Sequence, residues 1–286
     1  MSGLPQLELI VARLRGPDGC PWDRAQDVAS MRPYLLEECY ELLAAMEGAR
    51  TGAGAAAEPQ AVSTLKEELG DLLFVLALVA RICEERGWFS LDEAAAGIAH
   101  KMVVRHPHVF APDELPAPGA GSLAAWEARK ARELGPDGAP RSRLAGVPES
   151  LPALLRAHRQ GEKAAAAGFD WPDAQAVLEK VDEELAELRE AIALHDPAEA
   201  PRKGPSAAAE VEHELGDLLM VLADLGRHLG APPESALQRA NTRFRARFEE
   251  VERLARAQEQ DLADLDAAAL DALWEEAKRR LSGGGA

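Results

Sequence analysis

Glu183-Glu184-Leu185-Ala186-Glu187, followed by Glu214-Leu215-Gly216-Asp217, decides how this chain is built, because the same pattern stands 146 positions earlier. There, Glu37-Glu38-Cys39-Tyr40-Glu41 is followed by Glu68-Leu69-Gly70-Asp71. Every acidic position keeps the one offset, so the segments between the motifs match in length as well. A repeat of this period means duplicated domains, since the units of a solenoid run to only about 20–50 residues. What is duplicated is a set of carboxylates at helical spacing.

The sequence around these motifs predicts helices. Leu35, Leu36, Leu42, Leu43 and Met46 recur three, four and seven apart, and Gly48 supplies a stop. A second helix is predicted from about Val62 to Arg86, closed by Gly87. Ser90 and Glu93 have the spacing of a capping box, in which each satisfies a free backbone N–H. The second half repeats the plan, with helices predicted over about 173–195, 207–229 and 234–256. No stretch alternates as a strand does. The expected fold class is therefore all-α, as two tandem helical-bundle domains.

The segments 50–61 and 196–206 are rich in Gly, Ala and Pro and read as connectors. A larger break holds Gly135-Pro136-Asp137-Gly138 and Gly146-Val147-Pro148. The expected division is an N-terminal domain over 1–132, a linker over 133–149 and a C-terminal domain over 150–286.

Charge and cysteine usage narrow the function classes. With 32 basic and 49 acidic residues the chain carries a net charge of −17, the wrong sign for gripping a phosphate backbone, so no nucleic-acid partner is expected. Cys20, Cys39 and Cys83 form neither a CxxC pair nor an even disulfide framework. The start of the chain lacks a signal-peptide core, and the apolar run Leu72–Ala80 is too short to span a bilayer. A cytoplasmic protein with no membrane partner is the expectation.

On a helix, residues three and four apart share a face. Glu184 and Glu187 are such neighbours, Glu183 reaches them through Glu187, and Glu214 pairs with Asp217 on the next helix. If the two helices pack as a hairpin, the pairs face each other. Two carboxylates about 5 Å apart repel by roughly 3 kcal/mol at an effective dielectric of 20. Such a cluster must be protonated, salt-bridged or metal-bound, and hard oxygen ligands suit Mg²⁺, with Mn²⁺ as a substitute. One ExxE pair is commonplace on an exposed helix; two linked motifs in two copies at equal spacing point to a metal site, and so to phosphate chemistry.

EExxE followed by ExxD on the next helix resembles the MazG-type nucleoside triphosphate pyrophosphohydrolases. Gly19-Cys20-Pro21-Trp22-Asp23, Arg105-His106-Pro107-His108-Val109-Phe110 and Gly168-Phe169-Asp170-Trp171 are similar to segments of the two-domain bacterial members. The resemblance implies a homodimer and Mg²⁺-dependent cleavage of the α–β phosphoanhydride, giving a nucleoside monophosphate and pyrophosphate. It implies Glu184, Glu187, Glu214 and Asp217 as metal ligands, with a second set at Glu38, Glu41, Glu68 and Asp71. Glu183 is the candidate for orienting or deprotonating the attacking water. A broad substrate range and a part in nucleotide-pool cleaning or stress control go with that family. A narrower dUTP, dCTP or phosphoribosyl-ATP pyrophosphohydrolase and a metal-stabilised interaction protein without catalysis are the alternatives.

Comparing the repeat with itself separates the halves. Lys180 corresponds to Tyr34, and Asn241, in Arg239-Ala240-Asn241-Thr242-Arg243, to Val103 in Lys101-Met102-Val103-Val104-Arg105. Trp274 echoes Trp126 and offers a face on which any base can stack. Lys180, Arg239, Asn241, Arg243 and Trp274 match the nucleotide-binding residues the resemblance implies, so the C-terminal domain is expected to be the main catalytic one. Glu210-x-x-His213 has di-iron spacing but no second copy, no GxxxxGK[ST] loop occurs, and His106 and His108 read as structural groups at a helix end.

Overall fold

The computed structural model describes residues 3–49, 58–110, 142–194 and 206–282. Among these residues the regular elements are all helices. The chain divides into two compact units, residues 1–116 and 117–286. Residues 133–141 of the expected linker, most of both expected connectors, and Trp126 lie outside the described residues.

In the first unit the helices are α1 (Leu4–Leu14), α2 (Pro21–Ala25), α3 (Arg32–Gly48), α4 (Pro59–Glu85), α5 (Leu91–Arg105) and α6 (Pro107–Phe110). Pro5, Pro21, Pro33 and Pro59 each stand in the first two helical positions, where the missing N–H is one the helix could not bond anyway. α3 and α4 pack on each other as a helical hairpin, and α1 lies against α4. Their shared core is Val11, Met31, Val75, Leu78 and Ile82. Arg15 ties the α1–α2 loop to α4. Its guanidinium donates to Glu85 at 2.7 Å and to the Gln26 carbonyl at 3.2 Å, and with Arg81 it holds the Glu85 carboxyl below its usual range. Ser90 and Glu93 form the expected capping box at the start of α5. At its end His106 Nδ1 lies 2.7 Å from the Met102 carbonyl oxygen, a helix-closing contact.

The second unit holds α7 (Ala153–Ala166), α8 (Ala174–Leu194), α9 (Ser206–His228), α10 (Pro233–Ala257) and, after a 3₁₀ turn at Leu262–Asp264, α11 (Ala267–Ser282). α8 and α9 form the equivalent hairpin, and α7 packs on α9 as α1 does on α4. α10 pairs with α11 around Val251, Leu254, Ala255, Leu273 and Ala277. α1, α7 and α11 stand outside the helices expected above, although Leu4, Leu7, Val11 and Leu14 give α1 an apolar period of its own. For α7 the reason is visible: the face it turns to its neighbours carries Ala157, Gly161 and Ala164, small residues with no apolar bulk.

Candidate active site

Packing α8 on α9 brings the acidic motifs of the C-terminal unit together. Glu184, Glu214 and Asp217 each offer an oxygen within 4.8 Å of the others. Glu184 is buried, and the other two are half-buried. Glu187, one turn along α8, is exposed, yet its carboxyl is pushed up by desolvation and then by Glu184, with Glu214 and Glu183 adding and Lys180 opposing. All four carboxylates therefore sit in one field. Lys180 is the cation that tempers it. Its ammonium donates to Glu183 at 2.8 Å and reaches Glu184 at 2.7 Å, and both contacts raise its own pKa.

The N-terminal unit builds the same cluster without the cation. Glu38, Glu41 and Glu68 lie within the same 4.8 Å limit, and Asp71 is close enough to raise both Glu38 and Glu68. In each of those two, desolvation is the largest cause and neighbouring carboxylates supply the rest. Tyr34, at the position of Lys180, instead meets the Trp22 ring edge-on at 5.4 Å.

These raised carboxylates set a pH dependence. A carboxyl whose folded pKa lies above its unfolded value holds its proton longer in the native state, so stability falls as pH rises from the ordinary 4.5 through the raised value. In the presence of a chelator, the melting temperature is expected to drop as the pH is raised above about 4.5. Saturating Mg²⁺ at pH 7 should restore it, since a ligand at 100 times its Kd adds about 2.7 kcal/mol. A melting temperature that rises over that interval, or ignores Mg²⁺, contradicts this.

Beside Glu184, Asp217 and Lys180 opens a cavity of about 450 Å³. One wall is the small-residue face of α7, and another is the loop bearing Phe169 and Trp171. That loop leaves α7 through Gly168, whose φ of +89° suits glycine, and the Phe169 N–H returns to the Ala164 carbonyl at 3.0 Å. At the inner end lie Asp224 and Arg227. Arg227 donates to Asp224 through Nε at 2.7 Å and through Nη2 at 3.0 Å, and to Asp170 on the loop through Nη1 at 3.1 Å. His228 Nε2 lies 3.1 Å from Asp170. Burial works against ionising Asp170, but Arg227 and His228 outweigh it and hold its pKa low. Asp170, Asp224 and His228 have the spacing of a metal group, but the guanidinium of Arg227 already fills it.

The carboxylates and Lys180 thus meet; the other expected nucleotide-binding residues are carried by α10, which contacts α9, and by α11. Arg239, Asn241 and Arg243 lie along α10, and none lines the cavity. Trp274 on α11 packs against Phe244 at 5.5 Å, with the Arg247 guanidinium 6.0 Å from its ring. Glu183 is exposed beside Lys180. His213 reaches Asp217 at 3.4 Å. Sequence reasoning missed Asp224, Arg227 and His228; the two cations stand in the last turn of α9, where they resemble ordinary C-terminal capping.

Comparison with known proteins places this geometry in context. Residues 26–110 match the MazG nucleotide pyrophosphohydrolase domain. Over 285 residues the chain is 38% identical to the nucleoside triphosphate pyrophosphohydrolase of Escherichia coli K12, with 98% of each chain covered. It is 39% identical over 273 residues to the nucleoside triphosphate pyrophosphohydrolase/pyrophosphatase MazG of Thermotoga maritima, covering 96% of this chain and 94% of that one. A nucleoside triphosphate pyrophosphohydrolase of Mycobacterium tuberculosis is 37% identical over 151 residues, or 52% of this chain and 41% of its own.

Proposed function

Because this chain belongs to the MazG family of nucleoside triphosphate pyrophosphohydrolases, we propose that its C-terminal unit carries a Mg²⁺-dependent cleavage of the α–β phosphoanhydride. The products are a nucleoside monophosphate and pyrophosphate. The observation that supports the reading is the convergence of Glu184, Glu214 and Asp217, the first and last of which line a cavity together with Lys180. Three hard oxygen donors this close fit a small divalent cation, and Glu187 supplies the fourth. When bound, such an ion neutralises phosphate charge and activates water.

The residues of the chain do the rest. Lys180 answers the negative charge of the phosphates once it leaves Glu184. Glu183, exposed and one turn before Glu187, orients the attacking water and accepts its proton. The substrate range is broad, as fits a role in cleaning nucleotide pools or controlling stress signals. Phosphorus NMR of the full chain with each nucleoside triphosphate and Mg²⁺ tests the reading: monophosphate and pyrophosphate are expected, and diphosphate with orthophosphate would overturn it.

The active assembly is a homodimer. Leu215 and Leu219 on α9 are each 45% exposed, Leu222 is 40% exposed, and Leu218 beside them is half-buried. An apolar stripe of this kind next to a catalytic cluster suits burial against a second copy. Light scattering at micromolar concentration should report twice the chain mass. A fully active monomer would contradict the proposal.

A further inference from the structure

We propose that the groove between α1, α4 and the start of α5 in the N-terminal unit is a docking surface for a basic amphipathic helix of a partner protein. The groove shares no lining residue with the carboxylate clusters of either unit, and its role does not depend on the hydrolytic reading.

The groove encloses about 590 Å³. Pro5, Glu8, Leu9 and Ala12 line it from α1, at the three- and four-residue spacing of one helical face. Ala77 and Arg81 line it from α4, and Leu91 from α5. The wall from Pro5 to Ala12 spans two helical turns, about 10 Å. That length takes the side chains that a docking helix presents at i, i+3 or i+4, and i+7. Ala12 and Ala77 are small, which leaves room for a large apolar side chain between the helices. Leu9 is 55% exposed, and α5 has no buried residue. A helix laid in the groove buries the first and gives the second a packing partner.

Charge selects the occupant. Glu8, Glu84 and Asp92 line the groove, one from each helix, and the single cation among the described lining residues is Arg81. Arg81 is already held, by Glu84 at 2.8 Å and by Glu85 at 3.1 Å. Glu8 and Asp92 are exposed, and no cation pairs with either among the described residues. The positive end of α5 does not offset them, because the Glu93 carboxylate accepts from the Ser90 N–H at 2.8 Å. Lysines or arginines beside the apolar anchors of a docking helix meet these carboxylates, and the net charge of −17 draws such a partner in. The repeat shows that the surface is particular to one half. Leu4-Pro5 and Leu151-Pro152 align α1 with α7, so Glu8 and Leu9 correspond to Leu155 and Arg156. Glu84 corresponds to Gly230. The C-terminal unit thus keeps neither the apolar anchor nor these two carboxylates.

The test titrates the full chain into a fluorescein-labelled synthetic helix of leucine and lysine, with the leucines on one face, and reads fluorescence anisotropy. Saturable binding is expected. Leu9→Ser should weaken it about tenfold or more, the effect of losing one buried apolar anchor. Glu8→Gln with Asp92→Asn should weaken it about 3- to 10-fold, and high salt should erase that difference. Asp18→Asn with Glu149→Gln removes two exposed carboxylates elsewhere and should change little. A peptide of the same composition with its apolar face scrambled should bind at least about tenfold more weakly. Every substituted residue is exposed, so circular dichroism should show each variant folded as the wild type is. If the wild type does not bind, if Leu9→Ser binds as tightly as the wild type, or if the distant pair weakens binding as much as the groove pair, the groove is not the docking surface. Should Leu9→Ser halve the mass seen by light scattering, the occupant is a second copy of this chain and the proposal falls.

Discussion

Asp217→Ala and Glu184→Ala are each expected to abolish Mg²⁺-dependent hydrolysis while leaving the fold intact. Either substitution opens the ligand set, since the two residues belong to the one group whose oxygens lie within 4.8 Å. Losing even an outer partner of a metal ligand costs about 10- to 100-fold, and losing the ligand itself should exceed that. The stability effect runs the other way for Asp217. It is half-buried among like charges, so its removal relieves repulsion and should hold or raise the metal-free melting temperature. Glu184 is buried and accepts from Lys180, so its loss should be mildly destabilising. Measuring steady-state hydrolysis and thermal melting together checks both parts. Substantial activity in Asp217→Ala would remove that residue from the ligand set.

Asp224→Ala is expected to have the largest effect on stability. Its carboxylate and the Arg227 guanidinium are 10% and 15% exposed, and they meet through two hydrogen bonds. Removing one partner of a buried pair costs about 3–5 kcal/mol, and the lower end applies because Asp170 still holds Arg227. For a unit of this size that corresponds to a fall of roughly 10 °C in melting temperature. Asp224→Asn keeps an acceptor for Arg227 and should lose about half as much. Equal stability of both variants and the wild type would show that the pair contributes nothing net.

The carboxylate-bearing hairpins were legible in the sequence because both codes act locally. Leucines at helical spacing define the faces of α4 and α9, and each EExxE and ExxD motif needs only one helix to align it. The ends follow as well: Gly87 and Gly230 stand just past α4 and α9, and Ser90 with Glu93 opens α5. The cavity was not legible. It exists because α7 presents Ala157, Gly161 and Ala164, and absent bulk carries no apolar period. The Asp224–Arg227–Asp170 network was hidden for a different reason. Its members are up to 57 residues apart, and only the packing of the Phe169–Trp171 loop onto α9 joins them. The sequence marks Lys180 as a nucleotide-binding candidate, and the structure adds its present partners, Glu183 and Glu184.

The match to the family domain falls on the N-terminal repeat, whereas the cation beside the carboxylates lies in the C-terminal one. In the proposed reading the contrast matters because Tyr34 for Lys180 and Val103 for Asn241 would remove a charged and a neutral contact to phosphate. A charged hydrogen bond contributes about 1.5–3 kcal/mol and a neutral one about 1, so the proposal expects at least a tenfold difference between the halves. The most direct test uses two matched full-length double variants, assayed with ATP and Mg²⁺ by phosphorus NMR. Glu184→Ala with Glu187→Ala should eliminate the monophosphate and pyrophosphate signals, while Glu38→Ala with Glu41→Ala should leave most of the turnover in place. If the N-terminal pair abolishes hydrolysis and the C-terminal pair leaves it intact, the C-terminal unit is not where the reaction takes place.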